Sequence, residues 1–348
     1  MTAPCESGGG GAGVLSSLST GHDLSSSLAE AAMSEILAGT ASSAQIAAFI
    51  VALRMKGETV DELTGLLAAM HSAAEPVPLA PDGLVDTCGT GGDRSHTINV
   101  STLAAFVVAG AGAKVCKHGN RAASSACGSA DLLEALGVVI DLAPAGVARC
   151  VTEAGMGFCF APLFHPAMRH AAATRRELGV ATVCNFLGPM ANPARLRRQV
   201  IGVSDPSMAA RMAEVLRARG AERALVVYGH DGLDELTTTT TSTVLDVVNG
   251  DIRRYEVDPA SLRLAPARPD ELRGGDAATN ASLARRVLDG ERGAHRDVVA
   301  LNAAAGVVAA GLAEDLAAGL ELASASPDDG GAAGVVDRMV SVSKTFAA

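Results

Sequence analysis

The chain has 348 residues, 48% of them hydrophobic, enough for two domains or for one domain with an added helical layer around a sizeable core. It has no tryptophan, 3% aromatic residues and a formal charge of −10, which argues against stacking platforms for single-stranded nucleic acid and against a nucleic-acid or anionic-membrane surface. Its seven cysteines form no C-x-x-C pair, and most (Cys116, Cys150, Cys159, Cys184) sit in apolar segments, as buried free thiols of a cytoplasmic, reducing compartment would.

Residues 1–23, rich in glycine and serine, read as a disordered leader without the basic start and apolar core of a signal peptide. Residues 24–76 read as a small helical domain of three helices. Leu28, Ala31, Ala32, Glu35 and Ile36 make the first stripe, which Gly39 ends. Ser42 with Gln45 and Thr59 with Glu62 are capping boxes for helices running to about Lys56 and Ala73. Three short helices cannot bury their stripes alone, so this layer is expected to dock or dimerise.

After Pro76, Pro78 and Pro81 the pattern alternates. Leu84–Cys88 predicts a strand, Leu103–Ala109 a helix and Lys114–Cys116 a second strand. Val138–Leu142 predicts a strand, 145–154 a helix, Gly157–Ala161 a strand and 166–178 a helix carrying Arg169, Arg175 and Arg176. Gln199–Val203 and Ala224–Tyr228 read as buried strands around a helix at 206–219. Thr237–Tyr255 is β-rich with a hairpin turn at Asn249-Gly250, and the chain is helical from about Asn280. The fold class is therefore α/β: a small N-terminal helical domain plus a larger, mostly parallel sheet covered by helices over 82–348. No run is apolar and long enough to span a membrane.

Two polar loops follow the first two strands of this part. The first is Gly89-Thr90-Gly91-Gly92-Asp93, whose glycines permit positive φ and let successive N–H groups converge on an anion. It is neither a P-loop nor the dinucleotide G-x-G-x-x-G pattern. Asn99, Ser101 and Thr102 stand where a helix should start, and a helix N-terminus favours phosphate. The second loop, Lys117-His118-Gly119-Asn120-Arg121, adds the positive charge that a doubly phosphorylated ligand needs. Asp93 is repulsive beside phosphate unless it accepts from a sugar hydroxyl or a backbone N–H. Asp234-Glu235, just past a buried strand, reaches the same sheet edge, and paired hard oxygens beside a phosphate pocket suit Mg²⁺. His165 and His170, five apart and without a cysteine pair, do not read as a zinc site.

These motifs, GTGGD, NVST and KHGNRAASSACGSADLLEALG, followed by FAPLFHPAMRHAAATRRELG, NFLGPMANP and DGLDELTTTT, resemble the anthranilate phosphoribosyltransferases of tryptophan biosynthesis over most of the chain from about residue 24. The resemblance implies a nucleoside phosphorylase/phosphoribosyltransferase-like fold. It implies transfer of 5-phosphoribose from 5-phosphoribosyl diphosphate (PRPP) to anthranilate, without a covalent nucleophile. A helical segment near 166–190 would join the helical domain, which would carry a homodimer contact. PRPP would be held by Gly89, Gly92, Asp93, Thr97 and Asn99, by Val100, Ser101 and Thr102, by Lys117 to Arg121 (Lys117, His118, Gly119, Asn120, Arg121), and by Ala122, Ala123, Ser124, Ser125 and Ser129. Anthranilate would meet Gly89, His118, Asn120, His165 and Arg175, the last offering a guanidinium fork to the carboxylate. Ser101, Asp234 and Glu235 would bind Mg²⁺, two ions per monomer. Two positions depart from the family pattern: Met190-Ala191 replaces a common Leu-Thr, and Arg94 stands where glycine is frequent. A pyrimidine nucleoside phosphorylase is a rival with related architecture but a different glycine motif; a nucleic-acid-binding paralogue is a second, disfavoured by the acidic charge.

Overall fold

The computed structural model describes residues 11–122 and 126–346. Four helices lead: α1 (Gly11–Ser19), α2 (Ser26–Leu37), α3 (Ser43–Lys56) and α4 (Val60–Ser72). Then come β1 (Leu84–Gly89), α5 (Val100–Gly110), β2 (Lys114–Gly119), α6 (Ser129–Ala135), α7 (Pro144–Arg149) with a π-helical turn to Ala154, and β3 (Met156–Phe160). Three helices follow, α8 (Ala161–Phe164), α9 (Arg169–Leu178) and α10 (Val183–Met190), then β4 (Arg198–Gly202), α11 (Pro206–Ala218) and β5 (Arg223–Gly229). The chain closes with β6 (Ser242–Val248), β7 (Asp251–Val257), α12 (Ala277–Leu288), α13 (Ala294–Ala310), α14 (Leu316–Asp328) and α15 (Gly331–Lys344). It divides into one unit of Met1–Glu75 with His165–Ala191 and another of Pro76–Phe164 with Asn192–Ala348.

In the helical unit, both predicted capping boxes form: Ser42 with Gln45, and Thr59 with Glu62. Glu62 does more than cap. Fully buried, it accepts from Thr59 N (2.8 Å), Leu24 N (2.9 Å) and Lys56 Nζ (2.9 Å), and so ties the entry of α2 to the α3–α4 turn. Residues 11–19 correct the expectation of a disordered leader through residue 23. They form α1, because Val14 and Leu18 are buried, with the helix packed on α3. Residues 1–10 of that leader lie outside the described residues.

The other unit holds a seven-stranded sheet in the order β3-β2-β1-β4-β5-β6-β7. The first five strands are parallel, and β6 and β7 add antiparallel to β5. The β6–β7 turn is Asn249-Gly250 with φ of 49° and 88°, the positive values that a two-residue hairpin of matching twist demands. Helix α13 is buried on all sides from Val298 to Ala309 and packs on α5 and α14, as an all-apolar helix must.

Three expectations change here. Val138–Leu142 is extended but joins no ladder: Val138, Ile140 and Leu142 point inward, while Val139 N donates to Ser343 Oγ on α15 (3.0 Å). Alternation signals a one-sided buried segment, and a helix can supply the partner as well as a strand. The Thr237–Thr241 run is not a strand; the hydroxyls of Thr237, Thr239 and Thr241 are engaged locally, Thr237 Oγ1 with Asp231 Oδ2 (2.8 Å). Lys117, His118 and Gly119, expected in a loop, are the last residues of β2, paired with Phe158, Cys159 and Phe160.

Glu62→Ala should lower the unfolding free energy by about 3 kcal/mol, since it leaves the Thr59 and Leu24 N–H groups without an acceptor and takes from Lys56 its buried carboxylate, so that its ammonium keeps only Asp23 and the Gly57 carbonyl. Thr59→Ala should cost about 1 kcal/mol, the ordinary loss of a cap. Urea titrations of both variants check this, and equal losses would reject the three-way role of Glu62.

Candidate active site

Strand β1 has β2 on one side and β4 on the other, so the chain leaves β1 and β4 in opposite directions and a crevice opens at their carboxyl ends. The loops after β1, β4 and β5 meet there. Thr90 N donates to Gly202 O (2.9 Å), Ser204 Oγ to Gly91 O (2.8 Å) and Ser204 N to Thr90 Oγ1 (3.1 Å). Asp234 Oδ2 accepts from Gly91 N (2.7 Å), and Glu235 Oε1 accepts from Ser101 N (3.1 Å). Gly89 and Gly202 make this approach possible: a Cβ on the first would collide with the Asp234 carboxylate, and on the second with the Asp234 carbonyl. The carboxylate pair and the glycine loop, predicted from separate motifs, thus share one edge.

The first turn of α5 differs from expectation. Its Ser101 N–H, placed by the sequence beside a phosphate, is taken by Glu235. Asn99 does not cap the helix; its Nδ2 donates to Cys127 O (3.0 Å). Val100 is buried, Thr97 bridges to Arg273, and Thr102 Oγ1 donates to Ser129 Oγ (3.1 Å). Among the described residues, the N–H groups of Gly92, Asp93 and Arg94 have no hydrogen-bond acceptor.

Buried charge dominates the electrostatics. Burial, then the neighbouring Asp93, pushes the Asp234 carboxyl up to about 8. Burial and the charge of Asp234 hold Glu235 well above the carboxylate range, against the pull of Lys117. Lys117 is 1% exposed, and its Nζ donates to Thr87 O and lies 3.4 Å from Ser101 Oγ. It is therefore an internal counter-ion at a strand end. Burial also raises Asp86 on β1 to about 6, against Lys117, while its carboxylate accepts from Asn192 Nδ2 (2.8 Å) and His118 N (3.3 Å). The Cys88 thiol is pushed up by burial and stays protonated.

Arg121 is engaged differently from its predicted role. Its guanidinium pairs with Asp131 (3.0 Å) and Glu134 (2.9 Å) of α6 and lies over the Phe160 ring. Asp131 also accepts from Ala122 N (3.0 Å) and Gly128 N (2.8 Å), gathering the loop that carries the exposed Asn120. Gly119 packs its bare Cα against the Phe158 ring and Ser129. Ala123, Ser124 and Ser125 lie outside the described residues.

In the helical unit, His165 is buried, and burial lowers its pKa so that the ring is neutral. Arg175 on α9 is half-buried and Arg176 exposed; the Arg175 guanidinium forms no ion pair among the described residues. Met190 and Ala191 are buried.

Sequence reasoning missed Asp86, Asn192 and Asn302. Asn302 clamps the residue after the carboxylate pair, accepting from Leu236 N (2.9 Å) and donating to Leu236 O (2.8 Å). The signal was available: each is a polar residue inside or beside an apolar run, where an amide or carboxylate must find a partner.

Among the described residues no three His, Cys, Asp or Glu side chains already form a metal cage. Still, Asp234, Glu235 and Asp93 repel one another, and Ser101 adds a hydroxyl. Burial first, and the neighbouring negative charge second, keep protons on Asp234 and Glu235; hard oxygen donors of this kind fit Mg²⁺, which takes one or two carboxylates and completes its shell with water and phosphate.

A family model described as "Glycosyl transferase family, a/b domain" matches residues 81–333, and one described as "Glycosyl transferase family, helical bundle domain" matches residues 13–74, a span that includes most of α1. The chain is 53% identical to an anthranilate phosphoribosyltransferase of Roseiflexus castenholzii over 326 residues, 93% of this chain and 95% of the relative. It is 53% identical to one of Rhodococcus jostii, covering 96% and 93%. Among solved structures, the anthranilate phosphoribosyltransferase of Thermus thermophilus superposes with a TM-score of 0.90 at 43% identity, covering 95% of this chain and 99% of the other. That of Saccharomyces cerevisiae in complex with PRPP and Mg gives 0.88 at 25% identity, covering 97% and 99%.

The raised Asp234 carboxyl has a measurable consequence. Without a cation the fold holds that proton up to about pH 8, whereas the unfolded chain releases it near 3.8. The unfolded state binds fewer protons across that window, so this group makes stability fall as pH rises through it. In chelator, Asp234→Asn should flatten the fall in urea midpoint between those values; an unchanged slope would refute the assignment. Mg²⁺ should raise the melting temperature more at pH 8 than at pH 6.

Proposed function

This chain belongs to the anthranilate phosphoribosyltransferases, and we propose accordingly that it transfers the 5-phosphoribosyl group of PRPP to the amine of anthranilate. The products are N-(5-phosphoribosyl)anthranilate and pyrophosphate, the second step of tryptophan biosynthesis from chorismate. The observation that carries the reading to particular residues is the junction of the Gly89–Asp93 loop with Asp234-Glu235 at the sheet's carboxyl edge.

In this reading the free N–H groups of Gly92 and Asp93 hold diphosphate oxygens. Lys117 sets the local potential from beneath rather than by reaching out, and Asn99, Thr97, Ser129 and the loop from His118 to Ser125 enclose the rest of PRPP. Asp234, Glu235 and the Ser101 hydroxyl hold Mg²⁺, and the crowding of three carboxylates supports two ions per chain. When bound, the metal offsets the charge that grows on departing pyrophosphate. No side chain needs to form a bond to the sugar. The amides and the buried lysine are preorganised for the leaving group, and positioning with charge stabilisation does the catalysis. Arg175 takes the anthranilate carboxylate, and a neutral His165 faces the aromatic ring.

Two further features belong to the proposal. The helical unit exposes Met55 (83%) and Val180, apolar surface that supports a homodimer contact there. All described cysteines are buried thiols outside any disulfide, which suits the cytoplasm; among the described residues no helix is long and apolar enough to cross a membrane.

Purified protein with PRPP and Mg²⁺ should quench anthranilate fluorescence, and Asp234→Ala with Glu235→Ala should abolish this while the protein stays folded. Phosphorolysis of thymidine or uridine instead would overturn the activity. Arg175→Ala should raise the KM for anthranilate roughly 10- to 150-fold, the worth of a charge-assisted hydrogen bond, and leave the KM for PRPP nearly unchanged. Equal losses for both substrates would reject the role of Arg175.

A further inference from the structure

Asn280 on α12 is 3% exposed, and its amide is not used to build its own helix. Asp276 already caps that helix through Thr279 N (2.8 Å). The Asn280 side chain instead starts a directed chain of hydrogen bonds. Its Oδ1 accepts from Gly275 N (2.7 Å), which fixes which end of the amide is which. Its Nδ2 must then face Asn99, and it donates to Asn99 Oδ1 (2.9 Å). Asn99 therefore presents oxygen to Asn280 and nitrogen to the carbonyl of Cys127 (3.0 Å). Turning either amide over would set oxygen against oxygen or N–H against N–H. The polarity of the whole relay is set at its Gly275 end.

The relay joins three segments that close on one place. Residues 272–274 are bound to the far end of the glycine loop: Ile98 N donates to Leu272 O (3.0 Å), Gly274 N to His96 O (2.9 Å), and Thr97 bridges to Arg273. Asn99 opens α5. Cys127 stands two residues before α6. A side chain at position 274 would place its Cβ 2.5 Å from Asn280 Oδ1, so the glycine there keeps the amide seated.

We propose that Asn280 is a positioning residue for PRPP. It acts through Asn99, fixing the orientation of that amide and the spacing between the glycine loop and Cys127. This rests on the functional reading above. Asn280→Asp isolates the donor: the carboxylate still accepts from Gly275 N, but its second oxygen now opposes Asn99 Oδ1. Asn99 must turn over, and its own oxygen then meets the Cys127 carbonyl.

The experiment is steady-state kinetics with both substrates, wild type first. Asn280→Asp should raise the KM for PRPP about tenfold while kcat and the KM for anthranilate stay within about twofold. In an Asn99→Ala background the same substitution should add nothing, because the residue through which it acts is gone. Asn280→Ala, which removes both hydrogen bonds without adding charge, should behave as Asn280→Asp does and serves if the charged variant does not fold. An equal rise for both substrates, or additive effects with Asn99→Ala, would overturn the proposal in favour of a merely structural amide. An inactive wild type would instead overturn the functional reading, and the inference with it.

Discussion

Two carboxylates lying on backbone N–H groups from other loops hold this site together. Asp234 takes the amide of Gly91 and Glu235 that of Ser101, so the segment after β5 is bound to both ends of the loop after β1. The contact needs bare backbone on two neighbouring strands, at Gly89 and Gly202, because any Cβ there would meet the Asp234 segment. It also gathers acidic groups out of water, where burial keeps protons on Asp234 and Glu235, with Asp93 beside the pair and Asp86 behind it. One buried lysine, Lys117, opposes them. Such a set is poorly stabilised by itself, and a cation would relieve it.

Strain accompanies the charge. Beyond Gly91 and Gly92, Arg94 and His96 also have positive φ, 58° and 55°. A non-glycine residue there costs about 1 kcal/mol or more and persists only where surroundings impose it. Here they do: Asp93 accepts from Ser95 N (3.3 Å), and His96 O accepts from Gly274 N (2.9 Å). Arg94 thus sits in a conformation better suited to glycine, the residue that the sequence resemblance leads one to expect there.

Amide side chains carry the supporting structure. Asn192 joins Asp86 to the carbonyl of Cys116 (2.8 Å), and Asn302 holds Leu236 from α13. Each donates and accepts in fixed directions without adding charge to an already charged region. A salt bridge in these places would enlarge the desolvation penalty, whereas a satisfied amide fixes geometry at lower cost.

Local chemistry was legible in the sequence. The capping boxes at Ser42 and Thr59, the Asn249-Gly250 hairpin and the glycine loop with its carboxylate pair depend on residues close in the chain, where propensity and backbone freedom act directly. The mostly parallel sheet follows from alternating apolar segments for the same reason. What only the tertiary structure decided concerns partners distant in sequence. Lys117 reads as part of a polar, glycine-bearing turn after an apolar segment; the fold keeps it in β2 and buries it where Asp86 and Glu235 are near in space. Arg121 looked available for phosphate until α6 brought Glu134 to it. Val138–Leu142 had the alternation of a strand, but a helix filled the place of a neighbour. Residues 11–19 looked too polar and glycine-rich to fold until α3 offered a surface for Val14 and Leu18. A single chain states which groups must be satisfied; which group satisfies them depends on packing among elements tens to hundreds of residues apart.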